Sequence, residues 1–194
     1  MLYYYPNRPT LIPPDPDSPL NPKSNYINEL ERSGRFIAEQ KWNGDNILIY
    51  TSGLEIWNRH KKRHRFTITP EIKKELSLFP KQSILNAELV HYRTENLKNL
   101  IIVHSLLVWK GKVLNGKTWG YARKILEDQE YGEHVVLSKM WKSGFWKLFN
   151  KADGKIIEGI ILKNPTGKII ISTSPIKDVS YMYKIRKPSK KYSF

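Results

Sequence analysis

The chain has 194 residues, enough for one ordinary domain with a real core, or for one domain plus appendages. It carries 33 Lys and Arg against 18 Asp and Glu, a formal net charge of +15, and a surplus of that size repels itself in a compact chain. A polyanionic partner follows, with nucleic acid ahead of an acidic membrane surface, and the absence of cysteine excludes disulfides, thiolate metal sites and a cysteine nucleophile.

Residues 1–23 hold seven of the twelve prolines together with Tyr3, Tyr4 and Tyr5, which predicts an extended arm lying over the domain rather than inside it. The amino end has no basic stretch followed by an apolar run. The longest apolar stretch, Leu100–Trp109, is interrupted by His104 and Ser105 and is too short to span a bilayer, so a soluble, cytoplasmic protein without a membrane partner is expected. Ser24 is placed to cap a short helix ending near Gly34. Strand patterns follow at 36–40, 46–51 and 54–57, with Ser52-Gly53 as the turn of a hairpin. Thr69-Pro70-Glu71 starts a helix that ends by Pro80, with Thr69 as cap and Pro70 in the first helical position. Residues 83–90 and 100–109 are apolar strands, 118–128 and 143–151 helices, and 156–163, 168–172 and 179–186 strands. Pro188 ends the last strand, and 188–194 form a basic tail. Many strands, few helices and irregular alternation predict an α+β fold with largely antiparallel sheets, in one domain over 24–187.

The segment Ala38-Glu39-Gln40-Lys41-Trp42-Asn43-Gly44-Asp45-Asn46 ends a strand on a lysine and turns at a glycine before the next strand. Such a turn lets one side chain project into a cleft while backbone passes close to a ligand. Four further stretches follow in order: Leu85-Asn86-Ala87-Glu88-Leu89-Val90, Ile101-Ile102-Val103-His104-Ser105-Leu106-Leu107, Ile157-Glu158-Gly159-Ile160-Ile161-Leu162-Lys163 and Met182-Tyr183-Lys184-Ile185-Arg186. Each alone is weak. Together, at these spacings over 36–187, the set resembles the collinear motifs of the covalent nucleotidyltransferases: ATP-dependent DNA ligases, RNA ligases and mRNA capping enzymes.

The resemblance implies two sheets flanked by helices, an adenylylation domain, and an ATP-dependent ligase that seals 5′-phosphate and 3′-hydroxyl ends in nicked DNA or RNA duplexes. Lys41 is then the nucleophile that takes AMP. An unperturbed lysine, with a pKa of about 10.4, is almost wholly charged at neutral pH, so its amine has to be released by cations and desolvation. The resemblance gives that task, and the triphosphate, to Lys163, Lys184 and Arg186. Glu158 is the expected ligand of Mg²⁺ or Mn²⁺, which takes oxygen donors and offsets phosphate charge. Glu88 resembles the ribose contact and a second metal ligand. His104 occupies the place of the aromatic residue that stacks on adenine, with Ile161 over the other face. Glu39 and Gln40 are placed for the adenine edge, through side chain or backbone. Arg59, at the head of the basic run 59–65, resembles the arginine that contacts the nucleotide or the 5′-phosphate end.

The sequence also departs from the family pattern. The lysine motif has Asn43 where aspartate is usual and Asn46 where an arginine is usual, the latter closer to the bacteriophage double-strand-type RNA ligases. Ala87 stands before Glu88 in place of glycine, Ser105 in place of aspartate, and Arg186 in place of lysine. Eight residues follow Arg186, which leaves no room for an OB-fold domain and raises the expectation of a lone catalytic domain or a protein partner that supplies that function. Two rivals stand beside this reading: guanylyl transfer from GTP to an RNA end, and a basic nucleic-acid-binding module that has lost the chemistry.

Overall fold

The computed structural model describes residues 2–12, 14–15, 18–22 and 24–187; the basic tail expected at 188–194 lies outside the described residues. In chain order the elements are β1 (Arg8–Leu11), β2 (Pro14–Asp15), β3 (Ser18–Pro22), α1 (Ser24–Arg32), β4 (Ile37–Trp42), β5 (Asp45–Tyr50), β6 (Glu55–Asn58), α2 (Pro70–Leu76) and β7 (Ile84–Val90). They continue with β8 (Leu100–Trp109), β9 (Lys112–Val113), α3 (Trp119–Glu127), β10 (Val135–Leu137), β11 (Met140–Trp141), α4 (Phe145–Asn150), β12 (Ile157–Lys163) and β13 (Asp178–Arg186). The expected α+β class with two mainly antiparallel sheets is what forms.

The described residues divide between two compact units. The first comprises Gly44–Ser138, Lys168–Lys177 and the amino-terminal residues up to Asn7. Its sheet runs β10-β8-β7-β5-β6, with β9 on β8, and every pairing is antiparallel except β10 with β8. Alternation in β5 and β7 sends Ile47, Ile49, Leu85, Ala87 and Leu89 into the core with Ile72 and Leu76 of α2 and Leu126 of α3. Both helices start as their sequences direct: the Thr69 hydroxyl accepts from Ile72 N–H and the Thr118 hydroxyl from Tyr121 N–H. From α2, the Glu75 carboxylate collects the N–H groups of Glu133, His134 and Val135 at the entry to β10.

The second unit comprises Arg8–Asn43, Lys139–Gly167 and the chain from Asp178 on. Its main sheet runs β1-β13-β12-β4-β11, antiparallel except for β1 with β13, and β2 pairs with β3 separately. Ala38, Ile160, Leu162 and Ile185 cover one face and pack with Ile27 and Leu30 of α1 and Phe145 and Phe149 of α4. Glu31 of α1 accepts from the N–H groups of Gly144 and Phe145, at 2.6 and 2.9 Å, and so caps α4 from outside its own sequence.

Three expectations are corrected. The amino-terminal arm does not simply lie over the fold: Tyr3 is 4% exposed, Ile12 is buried, and 8–11 is a strand. The Tyr3 hydroxyl donates to the Asn58 carbonyl at 2.8 Å, which satisfies the one polar atom this ring brings inside. Residues 168–172 form two isolated bridges, Thr118 with Lys168 and Tyr5 with Ser172, instead of a strand. Their N–H groups go elsewhere: Ile170 to Asn7 Oδ1 and Ile171 to Asn115 Oδ1, so no continuous ladder builds up. Finally, β4 does not stop at Gln40. It stays paired with β12 through Lys41 and Trp42, and Asn43 N–H donates to the Ile156 carbonyl. Among the described residues no helix is long and apolar enough to cross a membrane.

Candidate functional site

The second unit gathers most of the expected catalytic residues on one sheet face. Directly opposed residues of neighbouring strands share a face. The register opposes Lys41 to Gly159 and Gly159 to Arg186, and opposes Glu39 to Ile161 and Ile161 to Lys184. These two rows, with Lys163 two residues beyond Ile161, lie on the side away from Ala38, Ile160, Leu162 and Ile185. Four cations therefore stand with two carboxylates where the other face is apolar. Gln40 opposes Ile160, so its side chain belongs to the face opposite Lys41, and the side-chain route to an adenine edge expected for it is turned away.

Glu158 reaches this face through a bulge. Ile157 pairs with Trp42 and Gly159 with Lys41, so β12 spends two steps where β4 spends one, and Glu158 is the extra residue. Without the bulge its parity would be that of Ile160 and Leu162. Gly159 makes the bulge possible: its φ is +154°, and a Cβ there would lie 2.0 Å from the Ile185 carbonyl oxygen. Upstream, Asp153 Oδ1 accepts from the N–H groups of Lys155, Ile156 and Ile157 at 2.8–2.9 Å and fixes the approach to β12. Burial alone raises the Asp153 carboxyl, but the hydrogen bonds from Ile157, Lys155 and Ile156 prevail and hold it below its ordinary range.

Lys41 Nζ donates to Glu158 Oε2, and Arg186 Nε stands 3.6 Å from the same oxygen. Deeper on this face, Lys163 Nζ donates to Glu39 Oε2 at 2.9 Å, and the two side chains are 4% and 2% exposed. Two residues expected to meet the nucleotide thus meet each other. Lys184 has its ammonium pKa lowered, first by burial, with Asp178 opposing and Arg186, Arg8 and Lys41 adding to the effect.

The first unit holds the remaining expected residues. The Glu88 carboxylate accepts from Gly44 N–H at 3.1 Å, and a Cβ on Gly44 would lie 2.5 Å from the Leu89 carbonyl oxygen. That turn therefore requires glycine for close approach. Asn46 opposes Glu88, and its amide donates to Asn86 Oδ1 at 2.9 Å and lies 3.4 Å from His104 Nε2. His104 is itself a bulge residue: Asn86 pairs with Ser105 and Ala87 with Val103. Asn86, 4% exposed, is the residue sequence reasoning gave no role, although it precedes Ala87-Glu88 in the quoted motif. Arg59 lies exposed in the turn after β6 with its guanidinium on His60, apart from these residues.

For a divalent ion, the expected ligands Glu158 and Glu88 fall in different units, and among the described residues no group of three or more His, Asp or Glu could hold a metal. With Glu39 taken up by Lys163, Glu158 is the carboxylate of this face that could reach Mg²⁺, which suits an ion held mainly by substrate phosphates and water, its usual mode.

No family model and no curated protein matches the sequence. Solved structures do match. The ligase domain of M. tuberculosis LigD is 15% identical, with a TM-score of 0.57 over 78% of this chain and 53% of that one. A Lig E DNA ligase is 11% identical, with a TM-score of 0.56 over 79% and 62% of the two chains. An archaeal ATP-dependent RNA ligase is 14% identical, with a TM-score of 0.54 over 94% and 48%. The chain spans about half the length of the LigD domain and of the RNA ligase. With its two mainly antiparallel sheets, a lysine strand beside a bulged glutamate strand, and these structural matches, the chain has the fold of the nucleotidyltransferase domain of ATP-dependent DNA and RNA ligases.

Proposed function

We propose that this chain is an ATP-dependent polynucleotide ligase domain that forms a lysyl-AMP on Lys41 and passes AMP to a 5′-phosphate on nucleic acid. The observation that carries the reading is the charged face of the second unit, where Lys41, Glu158, Lys184 and Arg186 come together from three strands. Donation to Glu158 holds Nζ against that carboxylate, so attack on the α-phosphorus begins with the opening of the Lys41–Glu158 pair. Lys41 Nζ then gives up one proton to solvent to become the free amine and forms the N–P bond, while the bond from the α-phosphorus to the pyrophosphate oxygen breaks and a second proton leaves the nitrogen to solvent as the phosphoramide forms. Charge grows on the departing oxygens, and Lys184 and Arg186 stand on this face to meet it. Glu158, released from Lys41, would hold Mg²⁺, which offsets phosphate charge. Transfer of AMP to the 5′-phosphate and its displacement by a 3′-hydroxyl repeat the same displacement at phosphorus.

Incubation of the protein with Mg²⁺ and ATP labelled at the α-phosphate, followed by a denaturing gel, tests this. Label is expected on the parent protein, released by acid, and absent from Lys41→Ala. Label from GTP instead would turn the reading to guanylyl transfer. No label from either nucleotide on folded protein freed of bound AMP would sink the chemistry.

A further inference from the structure

The first unit displays a basic and aromatic surface of which the family resemblance gives a role in the nucleotide chemistry to Arg59 alone. Arg59, Lys61, Lys62, Arg63 and Arg65 are all exposed. A run of cations is ordinarily a loose, solvated turn, but this one is folded into a fixed shape. Asn58 Oδ1 accepts from the N–H groups of His60 and Lys62 at 2.9 and 3.2 Å, and Asn58 N–H donates to the Lys62 carbonyl. Trp57 bridges to Arg63, and Lys61 takes a left-handed φ of +60° with no glycine to ease it.

The loop is also tied to a second segment. His64 Nδ1 accepts from Phe66 N–H, so its Nε2 carries the proton and points to Asp45, 3.4 Å away; Arg93 holds the other Asp45 oxygen at 2.8 Å. Between them stands Tyr92, 41% exposed. The Arg65 guanidinium lies 4.5 Å from its ring centroid, and the rings of His91 and His64 are 4.5 and 5.9 Å away. Asp45 is partly neutralised by Arg93, and Glu55 reaches Arg63 only at 4.0 Å, so the positive excess stands. The anchoring residue, Asp45, precedes Asn46 on β5.

We propose that Tyr92, with Arg65 against it and the 59–65 loop beside it, is a stacking platform for unpaired, single-stranded nucleic acid. A cationic loop alone fits any phosphate backbone, but an exposed aromatic ring carrying a guanidinium offers a flat partner to a base, and bases inside a duplex are already stacked. Five cations in one fixed loop supply the backbone attraction. The inference rests on the nucleic-acid partner of the proposed function and not on Lys41 chemistry.

The test is fluorescence anisotropy of the protein with a labelled single-stranded oligonucleotide of about 20 nucleotides, and with the matching blunt duplex, across a salt series. Tyr92→Ala and Tyr92→Leu are expected to weaken single-strand binding roughly tenfold or more, with duplex binding within about twofold of the parent, and Tyr92→Phe to retain both. Joint replacement of Lys61 and Lys62 by alanine is expected to weaken both ligands and flatten the salt dependence. Single-strand affinity unchanged in both Tyr92→Ala and Tyr92→Leu, or lost equally for duplex, overturns the platform. The same preparations, tested for ATP labelling, separate the two readings: loss of strand binding in a protein that still labels concerns this surface alone.

Discussion

Glu39 and Lys163 form a buried ion pair, and a pair of that kind is easier to break than to replace. Removing one partner strands a charge where water does not reach, whereas replacing both with apolar groups removes the demand altogether. Glu39→Leu is expected to cost about 3–5 kcal/mol in urea unfolding, and Glu39→Leu with Lys163→Met to recover most or all of it. A single variant as stable as the parent would show that the pair is not coupled. Alternation within β13 made the shared side of Lys184 and Arg186 legible, because parity within a strand is local, while their grouping with Lys41 was what the family resemblance implied and rests on the register of β4, β12 and β13. The Glu39–Lys163 partnership was not legible: the two stand 124 residues apart, and only the register between β4 and β12 joins them. The same register turned the Gln40 side chain to the far face.

At the scale of the element, the bulge in β12 decides whether Glu158 serves the charged face or the core. An isolated glycine inside an apolar strand is a signal of such a bulge, and Ile157-Glu158-Gly159 carries it. What the sequence could not give is the obstacle, the Ile185 carbonyl of β13. Gly159→Ala is expected to destabilise the protein by about 1–3 kcal/mol through overpacking and to depress labelling of Lys41. Gly34→Ala serves as the control, since a Cβ there meets nothing within 4 Å although φ is +63°; it is expected to lower stability modestly and leave labelling intact. Equal labelling in both variants would separate the bulge from the site. The helix at 70–76 was read well because its cap is local chemistry, Thr69 serving as placed; Thr118 caps the helix at 119–127 in the same way, a role the sequence reading had not given it. The strand expected at 168–172 failed because its apolar residues match a strand, while its hydrogen bonds go to the side chains of Asn7 and Asn115.

For the molecule as a whole, burial of tyrosine sets an alkaline limit. Tyr50 is pushed up from 10.0 to about 12, chiefly by burial, with a backbone hydrogen bond from Tyr4 opposing and the charges of Tyr4 and Glu55 adding. Tyr3, Tyr131 and Tyr181 are raised further, each first by burial. A folded pKa above the unfolded one holds the proton on the native state, so the stabilisation is complete below pH 10 and is lost as pH rises through 12. Unfolding midpoints are expected to fall steadily over that window, and Tyr3→Phe, which cannot ionise, to soften the fall; a flat profile would contradict the burial of these rings. Both units are also assembled from separated stretches, since the chain crosses from one to the other after Asn7 and again after Asn43, Ser138, Gly167 and Lys177. This has a consequence during synthesis. The ribosome makes β4 early and β12 late, yet neither joins β1 in one sheet until β13, beginning at Asp178, has emerged. At about 5–20 residues per second, the nascent chain carries its lysine strand for on the order of ten seconds before the sheet that uses it can close.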